Sequence, residues 1–161
     1  TASLLREITR DSRTSLIVND DLDVAIEVDA DGVHLGQTDL SLNDARRRWN
    51  TPGKIFGLST HSMEQAEKAM KLEPDYIGIG PVYPTKTKRN AANPLGPEEA
   101  GRITGKTPIT SVAIGGINAQ NLPLLQSAGV ANYCVAGAVN SRPDPFVAIG
   151  ELQKIWETHP F

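Results

Sequence analysis

Residues 76–88 read YIGIGPVYPTKTK and pass from an apolar, strand-like run into a polar loop. The loop opens with Thr85, Lys86, Thr87 and Lys88, so two hydroxyls and two ammonium groups follow directly on the strand. Hydroxyls and lysines at the carboxyl end of a parallel strand suit a phosphate or diphosphate ligand. A solvated basic loop would have the same composition, so both interpretations stay open for these four residues alone.

The apolar part of this stretch belongs to a series of strand-like runs. They span residues 15–19, 32–36, 54–59, 76–80, 109–115 and 132–136. Successive runs are too far apart for hairpins and have the spacing of strand–helix units. The runs are continuous rather than alternating, as expected for parallel strands covered by helices. This pattern, with phosphate-type loops after the last strands, predicts an α/β fold of the (β/α)8 TIM-barrel type.

The chain is short for a complete barrel. Its 161 residues suit one domain, whereas an eight-stranded barrel typically has about 200 residues or more. We therefore expect residues 1–161 to form one barrel domain that is incomplete on its N-terminal side, with about six of eight units. We expect the gap between the first and last strands to be closed by an N-terminal segment or by a second copy of the chain.

Composition excludes several classes of partner. The net charge is −3, and no basic stripe appears, which argues against a nucleic acid partner. No apolar run approaches the ~20 residues of a membrane span.

Cys134 is the single cysteine, which fits a reducing compartment such as the cytoplasm. Its apolar neighbours predict a small buried residue rather than a nucleophile.

The helices carry local signals of their own. Ser62 and Gln65 have capping-box spacing and predict a helix over residues 63–72. Another helix is predicted over residues 2–13. Pro123 fits its predicted helix only if that helix begins late, near Asn121. Four apolar residues are spaced to line one face of the last helix: Phe146, Ile149, Leu152 and Trp156.

Polar residues also follow the first two strands. Asn19 and Asp20 come after the first, and Asp39 comes after the second. In a barrel these strand ends share one face, so Asp20 and Asp39 can meet. Magnesium prefers one or two carboxylates together with water and phosphate oxygens. Helix capping or solvation would explain either aspartate alone, and the matched pair favours a Mg²⁺ site.

The remaining strand ends suit phosphate groups as well. Ser59 follows the third strand, and its hydroxyl can bond a diphosphate. Nearby His61 is either an acid or base or an ordinary hydrogen-bonded residue, and His34, inside a strand, is expected to be structural. Gly116, Ala136 and Gly137 follow the fifth and sixth strands, where small residues let phosphate oxygens approach backbone N–H groups.

Taken in order, these motifs resemble the thiamine phosphate synthase family. The matching segments are IVND at 17–20, GVHLGQTD at 32–39, GLSTHS at 57–62, DYIGIGPVYPTKTK at 75–88 and AIGGI at 113–117. The resemblance covers nearly the whole chain. It implies a transferase that couples hydroxymethylpyrimidine diphosphate with hydroxyethylthiazole phosphate, giving thiamine phosphate and diphosphate by Mg²⁺-assisted dissociative substitution.

The resemblance also implies roles for particular residues. It places Mg²⁺ at Asp20 and Asp39. It assigns three residues to the pyrimidine diphosphate: Asn19, Ser59 and Lys88, of which Ser59 and Lys88 act in catalysis. It assigns six residues to the thiazole phosphate: Thr85, Lys86, Thr87, Gly116, Ala136 and Gly137.

Two departures from the family pattern accompany the match. The family's Gln-x-Arg-x-Lys motif is absent, and Gly137 stands where the family usually has serine. A thiazole tautomerase-like relative and an inactive phosphate-binding barrel are the alternative functions. Lys88 and Asp39 favour the synthase, because the tautomerase-like relatives lack the full Thr-Lys-Thr-Lys run and the second aspartate.

Overall fold

The computed structural model describes residues 1–87 and 92–158, and it contains every predicted strand. The strands are β1 (Ile17–Asn19), β2 (Gly32–Leu35), β3 (Ile55–Thr60), β4 (Tyr76–Ile79), β5 (Thr110–Ile114) and β6 (Tyr133–Cys134). They form one parallel sheet in the order β1-β2-β3-β4-β5-β6. Sequential parallel order is that of a TIM barrel, so the predicted α/β fold is confirmed as a six-stranded partial barrel.

Helices connect successive strands and cover one face of the sheet. Within the described residues they are α1 (Ala2–Thr9), α2 (Leu22–Glu27), α3 (Leu42–Arg48), α4 (Met63–Met70), α5 (Pro97–Lys106), α6 (Leu122–Ser127), α7 (Gly137–Asn140) and α8 (Pro145–Thr158). None of the helices in the described part of the chain is both long and apolar enough to cross a bilayer.

The two faces of the sheet have different surroundings. Val33, Leu35, Ile77 and Ile79 are fully buried and belong to the core that also contains helix residues. Residues between them in sequence point to the opposite face, which is the interior of the partial barrel. That face is more open, and Ile114 on β5 is 45% exposed. The interior therefore offers space for polar side chains above the strands.

The sheet has two edges within the described residues. There, β1 pairs with β2 alone and β6 pairs with β5 alone. The expectation that an N-terminal segment or a second copy closes the gap between these edges stays a prediction, as does the single, incomplete barrel domain. The edge position does explain Cys134, which is exposed. The prediction of a buried Cys134 was wrong because β6 is an edge strand and Cys134 lies beside exposed Ile114.

Several helix signals are confirmed by their caps. The Ser62 hydroxyl accepts a hydrogen bond from the Gln65 N–H at 3.2 Å. Helix α6 begins at Leu122 with Asn121 at its N-cap, so Pro123 lies in the first turn, where it costs no hydrogen bond. Helix α1 is shorter than predicted and ends at Thr9 rather than near residue 13.

The predicted apolar face of α8 is confirmed at Leu152 and at Trp156, which packs on the core, but is wrong at Phe146 and Ile149. Phe146 is 86% exposed and Ile149 is 41% exposed, whereas Ala148 and Leu152 are buried. The first turn is apolar all round, because Phe146 and Val147 are followed by Ala148 and Ile149. Spacing alone therefore does not select the face that packs against the neighbouring helices.

Two glycines of α5 provide a matched test of the packing. A Cβ on Gly101 would lie 1.9 Å from the Ala128 carbonyl oxygen, but one on Gly105 would meet no atom within 4 Å. We expect Gly101→Ala to lower the free energy of unfolding by about 1–3 kcal/mol through overpacking. Gly105→Ala is expected to raise it by up to about 1 kcal/mol through helix propensity. Denaturant titration measures both, and equal effects would contradict this packing.

Candidate phosphate-binding site at the carboxyl ends of the strands

The first two strands bring Asn19, Asp20 and Asp39 to one end of the sheet. Asn19 is in register with His34 of β2, and the Asp20 N–H donates to the His34 carbonyl at 2.8 Å. Asp20 has a positive φ of 65°, which turns the chain out of β1. Asp39 lies in the loop after β2, where its Oδ2 accepts the Gly36 N–H at 2.7 Å. The predicted carboxylates thus lie at the ends of adjacent strands.

The donor set at this position is a pair of carboxylates rather than a larger cluster. In residues 1–87 and 92–158 no group of three or more His, Cys, Asp or Glu side chains is arranged for a metal ion. Asp20 and Asp39 are both exposed at the strand ends. Mg²⁺ needs only one or two carboxylates when water and phosphate oxygens supply its other ligands, so the pair suits Mg²⁺, which stays a prediction.

Ser59 lies near the carboxyl end of β3 and faces the interior of the partial barrel. Its Oγ is 2.9 Å from His34 Nε2, and His34 Nδ1 is 3.0 Å from the Tyr76 hydroxyl. The loop after β2 also reaches β3, because Gln37 Nε2 donates to the Ser59 carbonyl at 2.5 Å. Sequence reasoning missed the contacts of His34 with Ser59 and Tyr76, which join three neighbouring strands.

His61 has the hydrogen bonds of a residue that fixes the backbone. The His61 Nδ1 atom is 2.5 Å from the Gly80 carbonyl oxygen, and the His61 backbone N–H donates to Gln65 Oε1 at 2.8 Å. The contact with Gly80 connects the ends of β3 and β4, and the contact with Gln65 joins the end of β3 to α4. They favour the ordinary hydrogen-bonded role over the role of acid or base.

The loop after β4 is held against the end of β5. The Val82 and Tyr83 N–H groups donate to the carbonyls of Ile114 and Gly115 at 2.8 and 3.0 Å. Gly116 has a φ of +67°, and a Cβ there would lie 2.5 Å from the Pro84 carbonyl. Only glycine allows this approach, and Thr85 follows Pro84 directly. The structure thus brings Gly116 beside the start of the Thr-Lys-Thr segment, as the predicted phosphate site requires.

The Thr-Lys-Thr segment itself is partly ordered by its own hydroxyl. Thr85 Oγ1 accepts the Thr87 N–H at 3.2 Å. Lys86 and Thr87 are exposed. Lys88 lies outside the described residues, so its assignment stays a prediction from sequence.

The end of β6 contributes Ala136 and Gly137. Helix α7 starts at Gly137 with Ala136 at its N-cap, and the Asn140 N–H donates to the Ala136 carbonyl at 2.8 Å. Both residues are exposed, and a Cβ on Gly137 would meet no atom within 4 Å. The backbone at this strand end is therefore open to a ligand, and a side chain such as serine would fit there.

A sequential parallel sheet with acidic, hydroxyl and small residues at the carboxyl ends of its strands has the architecture of a TIM-barrel enzyme. The family described as thiamine monophosphate synthase matches residues 1–139, and the chain belongs to this family.

Individual relatives agree with the family match. The thiamine-phosphate synthase of Archaeoglobus fulgidus is 43% identical over 94% of this chain and 70% of its own length. That of Geobacillus kaustophilus is 42% identical over 94% of the chain and 68% of its own length. Among solved structures, the thiamine phosphate pyrophosphorylase from Pyrococcus furiosus has a TM-score of 0.87 and 38% identity, over 98% of this chain and 74% of that one.

More distant structures share the fold alone. The 3-hexulose-6-phosphate synthase from Salmonella typhimurium has a TM-score of 0.75 at 13% identity, over 98% of this chain and 79% of that one.

Proposed function

We propose that this chain is a thiamine-phosphate synthase, a transferase that couples hydroxymethylpyrimidine diphosphate with hydroxyethylthiazole phosphate. The products are thiamine phosphate and diphosphate, and we place the reaction in the cytoplasm. The observation that carries the proposal is that two kinds of residue lie at the carboxyl ends of the strands in a chain of this family. Aspartates and Ser59 lie at the ends of β1 to β3, whereas Thr85, Thr87 and small residues lie at the ends of β4 to β6.

The ends of β1 to β3 are the proposed site of the pyrimidine diphosphate. We assign Asn19 and Ser59 to its oxygens, together with Lys88 from the sequence that follows β4, and Asp20 and Asp39 to Mg²⁺. The Gly36 N–H already orients the Asp39 carboxylate, which lowers the cost of ordering it around a cation. When bound, Mg²⁺ would supply positive charge to the leaving diphosphate.

The ends of β4 to β6 are the proposed site of the thiazole phosphate. Hydroxyls of Thr85 and Thr87 and the ammonium group of Lys86 can donate to its oxygens. Gly116, Ala136 and Gly137 would contribute backbone N–H groups. The close approach of Gly116 to the Thr85 loop supports one shared cradle rather than two separate loops.

The proposed reaction requires no nucleophilic side chain. The bond from the pyrimidine methylene carbon to the diphosphate oxygen breaks, and its electron pair leaves with the diphosphate. The thiazole nitrogen then donates its lone pair to the methylene cation and becomes positively charged. Ser59 and Lys88 would stabilise the charge that develops on the leaving group.

A turnover assay with both substrates and Mg²⁺ tests this function. We expect one diphosphate released for each thiamine phosphate formed. Binding of both substrates without product would instead identify an inactive phosphate-binding barrel.

Thr85→Ala tests the thiazole phosphate site. We expect about a tenfold rise in the KM for the thiazole phosphate, the loss typical of a hydrogen bond to a charged group. Thr85→Ser keeps the hydroxyl and should retain most of the affinity. Thr51 is an exposed threonine before β3, and Thr51→Ala should leave the KM for the thiazole phosphate unchanged. Equal KM values for Thr85→Ala and Thr51→Ala would remove Thr85 from the site.

A further inference from the structure

One layer of the barrel interior contains an aromatic pair over a glycine. His34, Gly57 and Tyr76 are in register across β2, β3 and β4. The two rings stack with centroids 5.3 Å apart and planes at 27°. A Cβ on Gly57 would lie 2.5 Å from His34 Nδ1 and 2.3 Å from Tyr76 Cζ. The absence of a side chain at Gly57 is what allows the two rings to meet.

The next layer connects this pair to Ser59. Ser59 of β3 is in register with Gly78 of β4, and His34 Nε2 lies 2.9 Å from Ser59 Oγ. A Cβ on Gly78 would lie 3.2 Å from His34 Cε1. The imidazole thus lies over two glycines, with one nitrogen at the Tyr76 hydroxyl and the other at the Ser59 hydroxyl.

The partners of the two ring nitrogens indicate where the hydrogens lie. Burial raises the pKa of Tyr76 to about 12, so the phenol keeps its proton at neutral pH. Within the described residues, His34 Nδ1 is the acceptor at hydrogen-bonding distance from this hydroxyl. A half-buried O–H without an acceptor is costly, so Tyr76 donates to Nδ1.

This donation sets the direction of the next bond. Neutral imidazole carries one hydrogen, and with Nδ1 accepting, that hydrogen is on Nε2 and is donated to Ser59 Oγ. A hydroxyl that accepts from one side keeps its own hydrogen for another acceptor. The Ser59 hydrogen is then directed away from His34, and linked hydrogen bonds of one direction strengthen each other.

We propose that Tyr76 and His34 form a hydrogen-bond relay that turns the Ser59 hydroxyl hydrogen toward the departing diphosphate. Both are positioning residues, because each acts through Ser59 rather than on the substrate. The relay rests on the proposed function, in which Ser59 contacts the diphosphate. It adds two residues inside strands β2 and β4 to the residues assigned above.

The first experiment observes the tautomer directly. Two-dimensional ¹H–¹⁵N NMR of the histidine side chains of the purified protein should show His34 as the Nε2–H tautomer. Tyr76→Phe should convert part of the population to the Nδ1–H tautomer. An Nδ1–H tautomer in the wild type would overturn the relay.

The second experiment is a double-mutant cycle read by calorimetric binding of inorganic diphosphate with Mg²⁺. Ser59→Ala should weaken binding about tenfold, and Tyr76→Phe should weaken it several-fold. The double variant should bind no more weakly than Ser59→Ala, because Tyr76 acts through Ser59. Tyr133→Phe, a phenol packed on Trp156 instead, is the matched control and should bind as the wild type does.

Two replacements of His34 separate orientation from packing. His34→Gln retains an N–H donor near the position of Nε2, whereas His34→Met has similar length and no donor. We expect diphosphate affinity to be largely retained in the first and lost in the second. Equal losses, or additive effects of Tyr76→Phe and Ser59→Ala, would overturn the relay.

The outcomes distinguish the relay from the proposed function. If Ser59→Ala weakens diphosphate binding and Tyr76→Phe does not, the relay fails and the assignment of Ser59 stands. If Ser59→Ala leaves binding unchanged, the diphosphate site itself is wrong and the relay fails with it.

Discussion

Asp39→Asn is expected to lower turnover about a hundredfold and to raise the Mg²⁺ concentration needed for half-maximal activity. A hundredfold loss of turnover is typical when an enzyme loses one strong electrostatic contact that stabilises a developing negative charge. The substitution removes the charge of the carboxylate but leaves an amide oxygen that can still accept the Gly36 N–H seen at 2.7 Å. The loop after β2 should therefore keep its conformation while the cation site is weakened.

A magnesium titration of turnover measures this effect, with thermal unfolding as the check on folding. Asp44→Asn is the matched control, since Asp44 is a half-buried aspartate in α3 that pairs with Arg47. It makes the same change of charge away from the strand ends and should leave the magnesium dependence unchanged. An Asp39→Asn variant with wild-type magnesium dependence would contradict the assignment of Asp39 to the metal.

Most of the strand framework was predictable, because continuous apolar runs with long separations leave parallel strands as the natural solution. That framework also located the candidate site. Once the strands are parallel, the residues that follow them must lie at one end of the sheet. Asp20 and Gly116 could therefore be placed at the candidate site without knowing their contacts. Gly116 beside the Pro84 carbonyl is the clearest outcome of this reasoning.

The contacts of His34 could not be predicted in the same way. Its bonds to Ser59 and Tyr76 cross 25 and 42 residues of sequence and depend on the register of three strands. Periodicity assigns a residue to a face of the sheet, but it does not fix which residues lie opposite one another. Gly57 lies two residues before Ser59, and Gly78 lies two residues after Tyr76. These two glycines were the signal available in the sequence.

Cys134 and α8 show a second limit. Apolar neighbours predicted burial for Cys134, yet exposure at a sheet edge depends on which strands are present beside it. In α8 the apolar residues surround the first turn, so Ala148 rather than Phe146 could take the buried face. Both errors concern the surroundings of an element and not its existence.

Lys88→Met is expected to lower turnover about a hundred- to a thousandfold while thermal stability changes little. The proposed work of Lys88 is to place positive charge on the leaving diphosphate, and loss of such a group typically has an effect of this size. Methionine keeps most of the length and apolar stem of lysine, so the comparison isolates the charge. Surface substitutions usually change stability by less than ~0.5 kcal/mol, so a larger loss of stability would indicate a structural role for Lys88.

Single-turnover measurements make the test specific, because they separate cleavage from substrate binding. Lys71→Met, at the exposed C-cap of α4, is the matched control and should leave the rate unchanged. Lys88→Arg retains the charge and should recover part of the rate, although its planar group differs in shape from an ammonium. If Lys88→Met turns over normally, or unfolds, the Thr-Lys-Thr-Lys loop has a structural role and Lys88 is not catalytic. If Lys88→Arg is as slow as Lys88→Met, the shape of the ammonium group matters as much as its charge.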